Sequence, residues 1–241
     1  MNEKLVLSST VSYGDVDRDE RLLLSGLFKL LQESAIRHAN QFDTGTRALL
    51  ERGESWVLNR VAVQIHEYPR YEDAVTVETW SRGIIGFRGY REYRVYRHGE
   101  LLAAASSLWL YVDLRTKTLT RVPAEIADAF PLHEGDVHAP DLDKLSLPAP
   151  AGAEMQTCTL SLRYSDVDGN GHVNNTAYLE FLQTALHACG RPTRPASIQV
   201  RWLKEIRPDA ARVDVRVAPA GGGFSFSIGA ADTVCAQGQL S

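Results

Sequence analysis

At 241 residues the chain is long enough for one large or two ordinary domains, each able to bury a core. A hydrophobic content of 44%, a charged content of 23% and a net charge of −4 describe an ordinary soluble globular protein, and the lack of a basic excess excludes a nucleic-acid footprint. No apolar run approaches about 20 residues, so no helical membrane span is expected.

From the start, Met1 to Leu7 run straight into a strand pattern, with neither a secretory signal nor a Ser/Arg-rich transit segment, which points to a cytoplasmic protein. A strand entering the core is expected from Ser9 to Tyr13, followed by a long helix from Leu22 to Phe42. In that helix Leu23, Leu24, Leu27, Phe28, Leu31, Ala35, Ala39 and Phe42 recur at three and four and form one apolar stripe. Gly26 inside the stripe costs about 1 kcal/mol of helix propensity relative to alanine, which signals close packing against a strand or a bound chain. A sheet follows. Val57, Val61, Val63 and Ile65 alternate with Leu58, Arg60, Ala62 and Gln64; Val75, Val77 and Thr79 alternate with Thr76 and Glu78; Leu108, Leu110 and Val112 alternate with Trp109 and Tyr111. Between these strands Arg82 to Gly89 holds three glycines but no phosphate-loop continuation, so it reads as a hairpin connection.

The Pro- and Gly-marked stretch 132–155 lacks periodicity and reads as a linker between domains at 1–131 and 156–241. Beyond it come a strand from Gln156 to Tyr164, a helix from Asn175 to Cys189, and strands near Ala196 to Ile206, Arg212 to Val217, Phe224 to Ala230 and Thr233 to Gln239. Gly221 to Gly223 serve as a hairpin turn. Cys158, Cys189 and Cys235 are too few and too scattered for a disulfide framework and are read as free thiols. His133 and His138 in the Pro-rich stretch make a poor metal site, and neither a metal nor a cofactor is expected.

The densest chemistry lies in Tyr164-Ser-Asp-Val-Asp-Gly-Asn-Gly-His-Val-Asn-Asn175, where Asp168, Asn170 and His172 alternate in a glycine-loosened loop leading into a helix. Taken singly, such residues are usually caps and polar loop positions. An internal repeat changes that reading: displaced by 151 residues, Tyr13-Gly-Asp-Val-Asp17 lies on Tyr164-Ser-Asp-Val-Asp168, and Leu31-Gln32 on Leu182-Gln183, without a gap. Asp19 stands opposite Asn170 and Arg21 opposite His172. Only the second copy keeps the imidazole, which suggests chemistry in one half and binding or scaffolding in the other.

The string D-x-N-x-H-V-N-N-x-x-Y from Asp168 to Tyr178 resembles the active-site motif of the acyl-acyl-carrier-protein thioesterases of the FatA/FatB type. Leu31 to Ala35, Trp109 to Asp113 and Arg121-Val-Pro123 are similar to the first domain of that family. The resemblance covers nearly the whole chain. It implies an α+β protein of two tandem hotdog domains, each a long central helix wrapped by an antiparallel sheet, with the acyl chain in the first domain and catalysis in the second. It also implies a site glutamate from a later strand, carried over here as Glu205 in Val200-Arg-Trp-Leu-Lys-Glu205, and acyl-carrier protein as partner. Ile206 stands where plant members often have cysteine, so no cysteine nucleophile is available there. Leu27, Leu31 and Trp56 are the expected acyl-chain contacts.

A thioester hydrolase must deliver water or a carboxylate, stabilise an oxyanion and hold the acyl chain. An imidazole titrates near neutrality, so His172 can move a proton. Glu205 can act as base or orient the ring, Asn170 can position water or substrate, and Asp168 can serve as nucleophile or general base. The helix start after Asn174 can offer free amides to the oxyanion. Arg191, Arg194, Arg201, Lys204 and Arg207 can form a solvated face or a docking surface for an acidic carrier. A coenzyme A thioesterase and a non-hydrolytic, dehydratase-like acyl-binding protein are the alternatives, and a homodimer remains open.

Overall fold

The computed structural model describes residues 3–42 and 45–241. Its elements, in chain order, are β1 (Lys4–Thr10), α1 (Leu24–Asn40), α2 (Thr46–Arg52), β2 (Glu54–Ile65), β3 (Ala74–Ile85), β4 (Arg88–Arg97), β5 (Glu100–Asp113), β6 (Thr118–Leu119), α3 (Ala124–Ala129), β7 (Gln156–Ser161), α4 (Asn175–Ala188), β8 (Ser197–Trp202), β9 (Arg212–Ala220), β10 (Gly223–Ala230) and β11 (Thr233–Leu240). The strands join in the order β1-β3-β4-β5-β2-β8-β11-β10-β9-β7, with β6 on β5. Every strand pair is antiparallel. The order in the second half mirrors the first about the β2–β8 seam, where Arg60 pairs with Arg201 and Gln64 with Ser197. The two halves are therefore a pair of hotdog units fused through one sheet.

The two long helices pack together against one face of the sheet. Leu24, Leu27, Phe28, Leu31 and Ala35 of α1 and Ala177, Leu179, Phe181, Leu182 and Leu186 of α4 share one core with Val61, Val63, Val75, Val77, Ile198, Val200, Val213 and Val215. This is the burial that stripes at helical spacing demand. The opposite face is covered by the stretch 132–155, which crosses it as a strap. Arg60 donates to the carbonyls of Leu142 and Leu145, Arg94 to Asp136, and Gln237 to Leu147. Leu142 seals against Ala62 and Leu108.

Several expectations need correction. A bulge at Asn59, between Leu58 and Arg60, moves Leu58 to the helix side with Val61, and Val57 is 40% exposed. One extra residue reverses the alternation upstream of it. The strands expected to reach Tyr13 and Tyr164 end earlier, because Tyr13–Asp15 and Tyr164–Asp166 each form a 3-10 turn. The first helix starts at Leu24 rather than Leu22, whose backbone bridges to Val16. Gly26 packs closely against the turn before its own helix and not against a strand: a Cβ there would lie 3.2 Å from the Asp15 carbonyl oxygen and 2.7 Å from a Leu22 methyl. The short helices α2 and α3 carry too little periodicity to be read from sequence.

Candidate active site

The loop before α4 is built by its own side chains. Asp168 Oδ1 accepts from the amides of Asn170 (2.9 Å) and His172 (3.4 Å), while the Asp168 amide donates to the His172 carbonyl at 2.8 Å. Gly171 sits at φ 78°, a left-handed conformation that glycine adopts without steric cost. Upstream, the buried Asp166 carboxylate accepts from the Arg163 amide at 2.7 Å and its guanidinium at 2.9 and 2.6 Å. That pairing raises the guanidinium pKa above the ordinary arginine value. Asn174, not Asn175, caps the helix, its Oδ1 accepting from the Thr176 amide at 2.9 Å.

The first copy reproduces the hydrogen bonds made by Asp168. Asp17 Oδ1 accepts from the amides of Asp19 and Arg21, the Asp17 amide donates to the Arg21 carbonyl, and Glu20 takes the left-handed position at φ 59°. The amides of Leu23 and Asn174 donate to the carbonyls of Asp15 and Asp166, each at 2.8 Å. The copies diverge at the next residue. The Leu24 amide donates to Gln183 Oε1 at 2.9 Å, whereas the Asn175 amide has no acceptor among the described residues. The first copy is closed further by Arg194, which pairs with Asp17 and Asp19, and by Arg21, which donates to the Tyr68 carbonyl.

Glu205 arrives from across the sheet. It lies in the loop beyond β8 and not on the strand, and its carboxylate stands 3.6 Å from His172 Nε2. Three bonds hold its segment: the Ile206 amide donates to the buried Tyr178 hydroxyl at 2.9 Å, and the Leu203 and Lys204 amides donate to the Cys235 carbonyl. Burial pushes the Tyr178 hydroxyl well above the ordinary phenol range and raises the Cys235 thiol. Asp168, Asn170, His172 and Glu205 thus meet at one end of α4, with Asn170, His172 and Glu205 at the surface and Asp168 half-buried.

A cavity of about 670 Å³ opens beside Asp168, between the loop at Ser165–Asp168 and the first half's Ser9–Ser12 and α1. A narrow apolar crevice lies on the sheet side of α1, walled by Phe28, Leu31, Leu58, Val61, Tyr93 and Trp109. Gln32 and Thr176 line both spaces. Of the three expected acyl contacts, Leu31 lines the crevice, Leu27 is buried in the main core, and Trp56 meets Tyr111 edge-on in a separate cluster, with ring centroids 4.8 Å apart. Sequence reading assigned no part to Gln32, Gln183 or the Tyr178 hydroxyl. The repeated Leu-Gln pair was the visible signal for the first two. Among the described residues no group of His, Cys, Asp and Glu is arranged to hold a metal ion, and no helix is long and apolar enough to cross a membrane.

Comparison with known proteins adds a second, independent line. Family models described as the acyl-ACP thioesterase N-terminal and C-terminal domains match residues 6–130 and 151–227. A chloroplastic palmitoyl-acyl carrier protein thioesterase of Gossypium hirsutum is 29% identical over 179 residues, covering 70% of this chain and 43% of that protein. The chain spans about half the length of the curated relatives it matches. Among solved structures, an acyl-ACP thioesterase from Bacteroides thetaiotaomicron superposes with a TM-score of 0.82 at 20% identity, over 99% of this chain and 97% of that one. A 12:0-ACP thioesterase from Umbellularia californica gives 0.81 at 21% identity, over 100% and 97%. These likenesses establish the shared fold.

Proposed function

The chain belongs to the acyl-ACP thioesterase family, and from that premise we propose that it hydrolyses acyl thioesters carried on acyl carrier protein, releasing free fatty acid in fatty acid biosynthesis. The observation that carries this reading is the open Asn175 amide at the start of α4 beside the Asp168 loop, on an apolar crevice that shares Gln32 and Thr176 with the cavity at Asp168. A preorganised N–H at a helix start stabilises the charge that develops on a thioester oxygen as it is attacked. The matching amide in the first copy is occupied, which supports one working site per chain.

In this reading the first half, 1–131, receives the acyl chain along Phe28, Leu31 and Trp109, where a crevice of about 10 Å³ must widen to admit it, the stretch 132–155 joins the halves, and 156–241 carries the chemistry. Asp168 Oδ1 is engaged by backbone amides, which leaves Oδ2 to attack the carbonyl carbon or to take a proton from water. His172, oriented by Glu205, passes a proton to the departing thiolate sulfur. Asn170, exposed at the loop tip, positions water or the carrier arm. The products are a carboxylic acid and the carrier thiol. Lys204, exposed beside Glu205, suits an acidic carrier, whereas Arg194 is taken up by Asp17 and Asp19 and Arg207 by Asp209.

The test is single-turnover release of acid from a panel of acyl-carrier-protein and acyl-coenzyme A thioesters. Wild-type release that falls by about a hundredfold or more in folded His172→Ala and Asp168→Ala supports the reading. No release from any thioester, or equal release by all three proteins, overturns it in favour of a binding role. A nucleophilic Asp168 would expel the thiolate and form a mixed anhydride that water then opens at either carbonyl; label from ¹⁸O-water appearing in the Asp168 carboxylate identifies that route, because a general base acquires none.

A further inference from the structure

We propose that Gln32, carried by α1 of the first half, is the second donor to the thioester oxygen in the working site, its side-chain amide acting beside the Asn175 N–H. This rests on the hydrolase reading above. The geometry comes from the internal repeat. Gln183 and Gln32 occupy matching positions on α4 and α1: Gln183 bonds the start of α1, and Gln32 lines the crevice together with Asn175 and Thr176 at the start of α4. In the first copy that relation is explicit: Gln183 Oε1 accepts from the Leu24 amide at 2.9 Å, while its Nε2 is held by the Thr193 carbonyl at 3.0 Å. The carboxamide fills the space where a substrate oxygen would have to lie, so the first copy is plugged by its own side chain.

The working copy lacks the plug. Gln32 is half-buried, lines both the cavity and the crevice, and neither its carboxamide nor the Asn175 amide has a partner among the described residues. Among the described residues nothing equivalent to the Thr193 carbonyl anchors Gln32. It can therefore turn its N–H toward an oxygen that accepts from Asn175 at the same time. Two donors converging on one oxygen from different halves would explain why the site needs both halves, although all four motif residues belong to the second. A glutamine N–H and a backbone N–H gain strength together as charge builds on the oxygen, so the effect belongs to the transition state.

The experiment compares wild type with Gln32→Leu and Gln32→Glu, using the acyl-carrier-protein thioester that wild type turns over fastest. The expected result is a fall in kcat of about 10²–10³ with KM within about threefold and the melting temperature unchanged, and no rescue by the glutamate, which cannot donate when ionised. A second readout isolates the oxyanion. Gln32→Leu should weaken binding of an acyl-pantetheine trifluoromethyl ketone, which hydrates to a tetrahedral mimic, while leaving binding of the thioether lacking the carbonyl unchanged. Gln183→Leu should lower the melting temperature and leave kcat unchanged. Unchanged kcat in Gln32→Leu, or equal weakening of ketone and thioether, overturns the assignment while the hydrolase reading stands. A wild type that releases no acid overturns both.

Discussion

Tyr178→Phe removes one oxygen atom from the core and leaves every apolar contact in place. The ring keeps its neighbours Phe181 and Trp202, with centroids at 6.4 and 6.5 Å. What it loses is the acceptor for the Ile206 amide, which lies 2.9 Å from the hydroxyl in a region where Ile206 is 1% exposed. An ordinary hydrogen bond contributes only about 1 kcal/mol net, but a buried donor left without a partner costs about 1–3 kcal/mol. In a chain of this length each kcal/mol moves the melting temperature by about 2–4 °C, so a drop of roughly 2–12 °C is expected. The same bond holds the residue next to Glu205. If Glu205 orients His172, the variant should also lose activity at a temperature where it is fully folded, by about 10-fold or more, since a misplacement of about 1 Å costs up to a hundredfold. Thermal unfolding and single-turnover hydrolysis on one preparation check both. An unchanged melting temperature would refute the tether, and full activity alongside the expected destabilisation would refute the role given to Glu205.

Further consequences follow from the paired loops and the charged surface. Gly171→Ala meets no atom within 4 Å of the added Cβ, so its cost is the left-handed backbone alone, about 1–2 kcal/mol by denaturant unfolding. Glu20→Gly, at the matching position, relieves that strain and is expected to stabilise the chain or leave it unchanged, with turnover unaffected. Asn174→Ala removes the α4 cap and should cost about 0.5–2 kcal/mol, with activity falling because the cap sets the first turn that presents the Asn175 amide. The Arg97 guanidinium, hydrogen-bonded to Glu67 at 3.0 Å, holds that carboxyl below its ordinary 4.5. A depressed acid stabilises the fold above its unfolded pKa and loses the contribution as pH falls through the folded value. Arg97→Met should therefore be less stable than wild type at neutral pH, with the gap closing in acid titrations below pH 4.5.

The sequence by itself determined the two long helices, most of the strands, the repeat, and a loop in which Asp168, Asn170 and His172 are bound to lie together. Each of these is local: spacing at three and four forces a stripe, alternation forces a half-buried strand, and an aspartate two and four residues before backbone amides folds the loop on itself. A single bulge at Asn59 was enough to move Leu58 to the other face, because alternation carries no record of an inserted residue. Only the tertiary structure decided what distinguishes the two copies. Leu24 and Asn175 are the first residues of their helices at matching positions of the repeat, yet the Leu24 amide is taken by a glutamine 159 residues away along the chain and the Asn175 amide is not. Trp56 was separated from the crevice, and Glu205 was brought to His172, by strand pairings that join distant residues. A helix start is a site only when nothing in the fold already fills it, and that depends on packing between elements and not on any one of them.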